Sequence, residues 1–227
     1  MSSCVADDEK APLTLESGQR LETDAVFVAA GRTSNTANLN LSEAGVPVGD
    51  RGLIKVNESY QTEVPHIYAA GDVIGFPALA STSMEQARVA MVHAFDLGYK
   101  NEAAPILPFC IYTIPEVSMA RATEEQLTKD GVAFVKGIAR YSGNPRGLII
   151  GDCEGMLKLL FRRDDMRLLG VHVIGEQASE SVHVGLVALM CEASSDLFIR
   201  TCFDSPTLGD LYKYATYDAM ARSRATD

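Results

Sequence analysis

The sequence predicts an α/β portion followed by an α+β domain, and three observations carry that prediction. Two short apolar runs end in glycine turns, Ala25-Val26-Phe27-Val28-Ala29 before Gly31 and Ile67-Tyr68-Ala69-Ala70 before Gly71-Asp72, and have the composition of parallel strands covered on both faces. A helical pattern follows the second run and stops at Gly98. Beyond Ala104, where Pro105 and Pro108 mark a linker, strand and helix patterns follow one another without strict alternation. The expected divisions are residues 1–36, 37–103 and 104–227.

Taken in order, Leu13 to Glu22 reads as two short strands around Ser17-Gly18, feeding the strand Ala25 to Ala29. A looser section up to Asn57 is punctuated by Gly45, Pro47, Gly49 and Gly52, and residues 60–65 lead into the Ile67 strand. Thr82-Ser83-Met84-Glu85 has the spacing of a capping box, with Met84, Ala87, Met91, Ala94 and Phe95 following at helical spacing. Thr123-Glu124-Glu125-Gln126 is a second such box, with Gly131 as its stop. Val132 to Tyr141 and Met156 to Phe161 read as strands, the latter pairing with Leu168 to Ile174 across a polar turn. Ala178, Val182, Gly185, Leu186, Leu189 and Met190 fall on one face of a helix whose other face is thinly polar, which predicts burial against another element or another subunit. Ser205 reads as an N-cap with Pro206 at the first helical position, opening a helix through Leu211, Tyr212, Ala215, Ala219 and Met220.

The chemistry concentrates around Gly71-Asp72. Glycine lets backbone approach a ligand closely, and a carboxylate at a strand end can accept hydrogen bonds from sugar hydroxyls. Taken in isolation, the same dipeptide also makes an ordinary turn. The helix that follows points its unpaired N–H groups back toward the strand end, where they can meet an electron-rich ligand atom.

The run Pro65-His66-Ile67-Tyr68-Ala69-Ala70-Gly71-Asp72-Val73 resembles the second flavin-binding segment of the pyridine-nucleotide-disulfide oxidoreductase family, two-dinucleotide-domain flavoproteins that include dihydrolipoamide dehydrogenase. Upstream, Asp24 to Asn35, with Ala30-Gly31-Arg32, resembles the turn where that family's nicotinamide-binding domain hands the chain back to the flavin domain. Downstream, residues 111–117, 168–175 and 205–208 resemble landmarks of its C-terminal dimerisation domain, so the resemblance covers almost the whole chain in order. It implies an incomplete FAD/NAD(P)-binding Rossmann-like portion followed by an α+β dimerisation domain. Gly71, Asp72, Leu79 and Ala80 would face the flavin, and Ala30, Gly31 and Arg32 would lie near the nicotinamide site of NAD or NADP. It also implies a homodimer through the C-terminal domain, which closes over the flavin site of its mate.

Two departures refine this. Neither G-x-G-x-x-G fingerprint that brings a pyrophosphate onto a helix N-terminus occurs, so the remaining FAD anchors are expected upstream of Met1, with the chain alone inactive. Where disulfide reductases of the family carry His-Pro-Thr-x-x-Glu, this chain has Ser205-Pro206-Thr207-Leu208-Gly209-Asp210, and serine cannot serve as a general base near neutral pH. The resemblance therefore points to members that pass hydride from NADPH to FAD and on to NAD, which residues 73–81 and 137–151 also resemble. No catalytic residue is assigned within the chain. The alternatives are a catalytically silent fragment or dimerisation module, and a dihydrolipoamide dehydrogenase-like disulfide reductase in which Ser205 replaces the histidine.

Composition excludes other classes. A net charge of -10 without basic clusters argues against nucleic acid and anionic membranes as partners. No apolar run reaches membrane-spanning length, and residues 1–10 lack the features of a secretory signal, so cytoplasmic residence is expected. The five cysteines, Cys4, Cys110, Cys153, Cys191 and Cys202, have no paired spacing and read as free thiols, with Cys202 expected in the core. The four histidines lack metal-ligand spacing, and His172, alternating with valines, reads as a packed strand histidine.

Overall fold

The computed structural model describes residues 10–224 and the backbone of Ser3–Cys4. Most of the N-terminal stretch read for a secretory signal, and the Cys4 thiol, lie outside the described residues. Three short strands, β1 (Ser3–Cys4), β2 (Ala11–Thr14) and β3 (Arg20–Thr23), pair antiparallel in that order, with Gly18 at φ +83 in the tight turn between β2 and β3.

The two apolar runs do not form regular strands. Residues 25–29 carry no regular structure and leave Phe27 92% exposed, because a strand needs a neighbouring backbone to take its N–H and C=O groups and no described strand lies beside them. Residues 67–70 are half-buried and reach only a single bridge, Gln61 to Tyr68, flanked by the Thr62 N–Ile67 O and Ala69 N–Tyr60 O bonds.

Helix α1 (Ala80–Ala94) starts three residues earlier than the capping-box spacing predicts. Leu79 is the residue before it, with extended backbone, and Thr82 is already inside the first turn. The buried stripe also differs: Thr82, Gln86, Val89, Ala90 and Val92 turn inward, whereas Met84, Met91 and Phe95 are exposed. The reason is a polar contact, since the Gly71 N–H donates to the Gln86 side chain at 2.7 Å in a buried setting and draws that stripe against the Gly71 turn.

The second half is an α+β unit around a five-stranded antiparallel sheet in the order β4-β5-β8-β7-β6, formed by β4 (Pro108–Ile111), β5 (Val117–Arg121), β6 (Phe134–Arg140), β7 (Met156–Arg162) and β8 (Leu168–Ile174). The β7–β8 hairpin pairs as the sequence predicts, with Leu157 opposite Val173 and Leu159 opposite Val171. Helix α2 (Glu124–Lys129) is capped as expected by Thr123, whose hydroxyl accepts from the Gln126 N–H at 3.2 Å, and Gly131 at φ +68 follows its end. Helix α3 (Pro145–Ile150) is capped by Asn144 and stopped by Gly151 in the left-handed region. Helices α4 (Ala178–Met190), α5 (Ser195–Arg200) and α6 (Leu211–Arg224) complete the unit.

Its core joins Val171 and Val173 of β8 to Val182 and Leu189 of α4, Phe198 of α5, and Leu211, Tyr212 and Ala215 of α6. Val182 and Leu189, read from the sequence as buried against another element or another subunit, are therefore buried against other elements of their own domain, and Leu186 is partly packed there. Ser205 is not the cap of α6. Ser205 and Pro206 form a bend, Thr207 precedes a 3-10 turn over Leu208–Asp210, and only then does α6 begin. Cys202 is exposed rather than in the core, because residues 201–204 run as irregular chain over the surface.

Candidate functional site

A cleft of about 600 Å³ opens where the Gly71-Asp72 turn meets residues 32–35 and 51–53. Its floor is set by backbone. Gly71 at φ +84 and Gly75 at φ +101 bracket a 3-10 turn over Asp72–Ile74, conformations that a side chain rarely tolerates. A Cβ at Gly71 would also sit 2.8 Å from the Ser83 hydroxyl, so glycine is what allows the turn to lie against the first turn of α1. The Val73 carbonyl accepts from the Ile54 N–H at 2.8 Å and fixes the turn to the 51–54 segment.

Asp72 lines the cleft with its side chain exposed, and makes no ion pair or side-chain hydrogen bond among the described residues. Arg32 lines the same cleft and is equally free of ion pairs. The structure thus brings together two residues that the sequence assigned to separate cofactors. Ala30, Gly31, Gly71, Leu79 and Ala80 do not line the cleft; Gly31, Gly71 and Leu79 each adjoin a lining residue along the chain. Gly31 at φ +104 makes the turn that delivers Arg32.

Helix α1 begins beside this turn with no side-chain cap on its N-terminal amides. Its buried Thr82 hydroxyl has no partner, and neither has the buried Ser34 hydroxyl, which lines the cleft. Orphaned hydroxyls are rare in folded interiors, so the one at Ser34 suits a polar ligand in the cleft. Sequence reasoning missed Ser34, Arg51 and Leu53. Ser34 falls within the Asp24-to-Asn35 stretch without a distinguishing pattern, and beside Arg51 only Gly52 stands out in the sequence.

The C-terminal domain supports structure more than chemistry. Burial pushes the Tyr141 phenol up to about 12, with the Asp152 carboxylate adding to it, and its hydroxyl donates to the Glu176 carbonyl at 3.0 Å. The Glu116 carboxyl is held below its usual range by bonds from the Ser179 amide and hydroxyl, which pin the β4–β5 hairpin to the start of α4. His172 is the packed histidine the pattern predicts: burial, with help from the Lys158 ammonium, lowers it to about 4, and its Nε2 donates to the Ala122 carbonyl at 3.1 Å. The Ser205 loop is exposed, and the buried Asn144 amide anchors it by donating to the Thr207 carbonyl at 3.1 Å. Among the described residues no group of three or more His, Cys, Asp or Glu side chains is placed to hold a metal ion, and no helix is long and apolar enough to cross a membrane.

Comparison with known proteins puts the chain in a family. Residues 2–94 match the model of the pyridine nucleotide-disulphide oxidoreductases, and residues 107–216 match that of their dimerisation domain. The soluble pyridine nucleotide transhydrogenase of Mycobacterium bovis is 47% identical over 213 residues, which are 93% of this chain and 45% of that protein. The protein of the same name from Hahella chejuensis is 41% identical over 224 residues, 97% of this chain and 48% of its own length. The chain spans about half the length of the curated relatives it matches. Among solved structures, LpdA from Mycobacterium tuberculosis superposes with a TM-score of 0.83 at 24% identity, covering 95% of this chain and 47% of that one. The HOCl-induced flavoprotein disulfide reductase RclA from Escherichia coli gives 0.82 at 22% identity, covering 92% and 49%. Those two likenesses are of fold. With both domain models matched in order along its length, the chain belongs to the pyridine nucleotide-disulphide oxidoreductase family.

Proposed function

We propose that this chain is the C-terminal part of a flavin-dependent transhydrogenase that moves hydride from NADPH through FAD to NAD, working as a cytoplasmic homodimer. The observation that carries the flavin reading is the cleft in which the unpaired Asp72 and Arg32 stand beside the uncapped start of α1. These groups fit part of an FAD site. Asp72 is suited to sugar hydroxyls, Arg32 to an anionic group, and the α1 amides to an electron-rich ring edge. The pyrophosphate turn is missing from this sequence, so what is present is one wall. Bound there, FAD would supply the hydride-accepting and hydride-donating chemistry, and the residues of this chain would bind and orient it.

Ser205 supports one choice between members of the family. At the position where disulfide reductases of the family carry a histidine, the chain offers a hydroxyl on an exposed loop, which gives thiols no general base. The names of the relatives at 41–47% identity support the same choice. The test is the complete enzyme: it should show flavin absorbance, reduce an NAD analogue with NADPH, and fail to oxidise dihydrolipoamide. Absence of flavin favours the assembly-module reading, which the unpaired, exposed Phe27 segment also suits. Turnover of dihydrolipoamide favours the disulfide-reductase reading.

A further inference from the structure

Two cavities meet at Thr33, Ser34 and Arg51. One is the cofactor cleft of about 600 Å³, and the other, about 470 Å³, continues from the same three residues past Thr36, Asn40 and Ser42. The cleft side has an apolar stretch at Leu53, Phe76 and Ala78, and the far side sets Thr36, Asn40 and Ser42 among Ala37, Leu41 and Val48. A ligand spanning both would have its middle at Arg51.

Arg51 is held at this waist by backbone. It sits at φ 58, ψ 20, a left-handed conformation that a long side chain adopts only where its surroundings impose it. Three contacts impose it. The Arg51 carbonyl accepts from the Ser34 N–H at 3.1 Å, the Thr36 hydroxyl donates to the Gly52 carbonyl at 2.7 Å, and Gly52 at φ +76 has the Thr36 oxygen 2.8 Å from where a Cβ would be. None of these uses the guanidinium. In a chain with 30 acidic and 20 basic side chains, Arg51 nonetheless makes no ion pair among the described residues, and neither does Arg32 in the same cleft. The buried Ser34 hydroxyl at the same waist has no partner either. Fixed backbone, two free guanidiniums and an orphaned hydroxyl are the donor set of an anion site.

We propose that Arg51, with Ser34 and alongside Arg32, binds a phosphate group of a nucleotide lying across the two cavities. The inference rests on reading the cleft as a cofactor site and adds a binding residue that the sequence did not disclose. The diphosphate of FAD and the phosphates of a nicotinamide nucleotide present the same chemistry, and the experiment separates them.

The 227-residue chain, labelled with nitrogen-15, is titrated to millimolar FAD, riboflavin or NADPH and followed by NMR at the amides of Ser34, Gly52 and Gly71. FAD or NADPH should move the Ser34 and Gly52 signals, and the tighter of the two identifies the source of the phosphate. Arg51→Gln should weaken that ligand about tenfold or more, as for loss of a charge-assisted hydrogen bond, with Arg51→Lys in between. Riboflavin, which carries no phosphate, should bind parent and variant alike. If the parent binds FAD or NADPH and Arg51→Gln, with its remaining amide spectrum intact, binds equally well, the inference fails and the cofactor reading stands. If none of the three ligands moves an amide of the parent, the inference fails, and the cofactor reading is decided separately by the flavin content of the complete enzyme.

Discussion

Asp72 was legible as a candidate because its carboxylate follows a glycine at the end of an apolar run. What the sequence could not disclose is that it shares a cleft with Arg32 and stays unpaired there. In the complete enzyme, Asp72→Ala should reduce retained flavin, since a charge-assisted hydrogen bond that the ligand covers is worth about 1.5–3 kcal/mol. The ratio of flavin to protein after dialysis measures it, and an unchanged ratio returns Asp72 to the role of a turn residue. His172 gives a second test. Its folded-state value of about 4 lies below the ordinary 6.5, so the folded protein refuses a proton that the unfolded chain accepts. Its contribution is therefore fully present above about pH 6.5 and is lost as pH falls toward 4, amounting to about 1–3 kcal/mol after allowance for partial solvation. Lys158, Glu124 and Glu125 face it, and the lowered Glu85, Glu116 and Glu124 carboxyls contribute their own losses only at lower pH. Urea midpoints from pH 7 to 4.5 should fall for the parent and flatten for His172→Gln.

Elements were readable where local chemistry sets them and misread where tertiary contact does. Thr123 caps α2 and Gly131 follows its end because both effects are local to one turn. For α1, the Thr82-to-Glu85 spacing imitates a capping box, yet the helix starts at Ala80 and buries the Gln86 stripe, since Gly71 supplies a donor that no local pattern announces. For α6, Ser205-Pro206 imitates a helix start, and the helix opens five residues beyond Pro206, at Leu211. The two glycine-terminated runs failed as strands for want of pairing partners, whereas β6, β7 and β8 formed because each has an antiparallel neighbour within the same domain. The packing of α6 on β6 depends on one residue that only the structure picks out. A Cβ on Gly137 would collide with the Ala215 carbonyl and lie 2.8 Å from the Ala219 methyl, while the neighbouring Ile138 N–H donates to the Asp218 carboxylate at 2.8 Å. Gly137→Ala should therefore push α6 off the sheet and cost about 2 kcal/mol or more. A denaturant midpoint equal to that of the parent would show that α6 slides aside freely.

At the scale of the molecule, the apolar excess read from the α4 sequence is real but, Met190 apart, lies on a different stripe. Val182 and Leu189 fill the domain's own core, and the surplus is Val184, Val187 and Met190, with Val187 62% exposed. The β4–β5 hairpin adds Ile111, Tyr112 and a fully exposed Ile114, and the bonds from Ser179 to Glu116 hold that hairpin against the start of α4. Isolated apolar side chains on a surface need no explanation, but two elements that are locked together and both present them form the kind of patch that marks an interface. A two-fold dimer is the simplest closure, because one patch then covers its own copy. Such an interface should bury at least about 1,200 Å² in total. Sedimentation at micromolar concentration should find a dimer, and Val187→Glu should shift it toward monomer, because a carboxylate placed there would be desolvated against an apolar surface. Leu186→Glu is the poorer probe, since Leu186 also packs on the domain core and its loss would confuse folding with assembly. A parent chain that sediments as a monomer, or a dimer indifferent to both Val187→Glu and Ile114→Glu, would mean that this patch is covered by something other than a second copy.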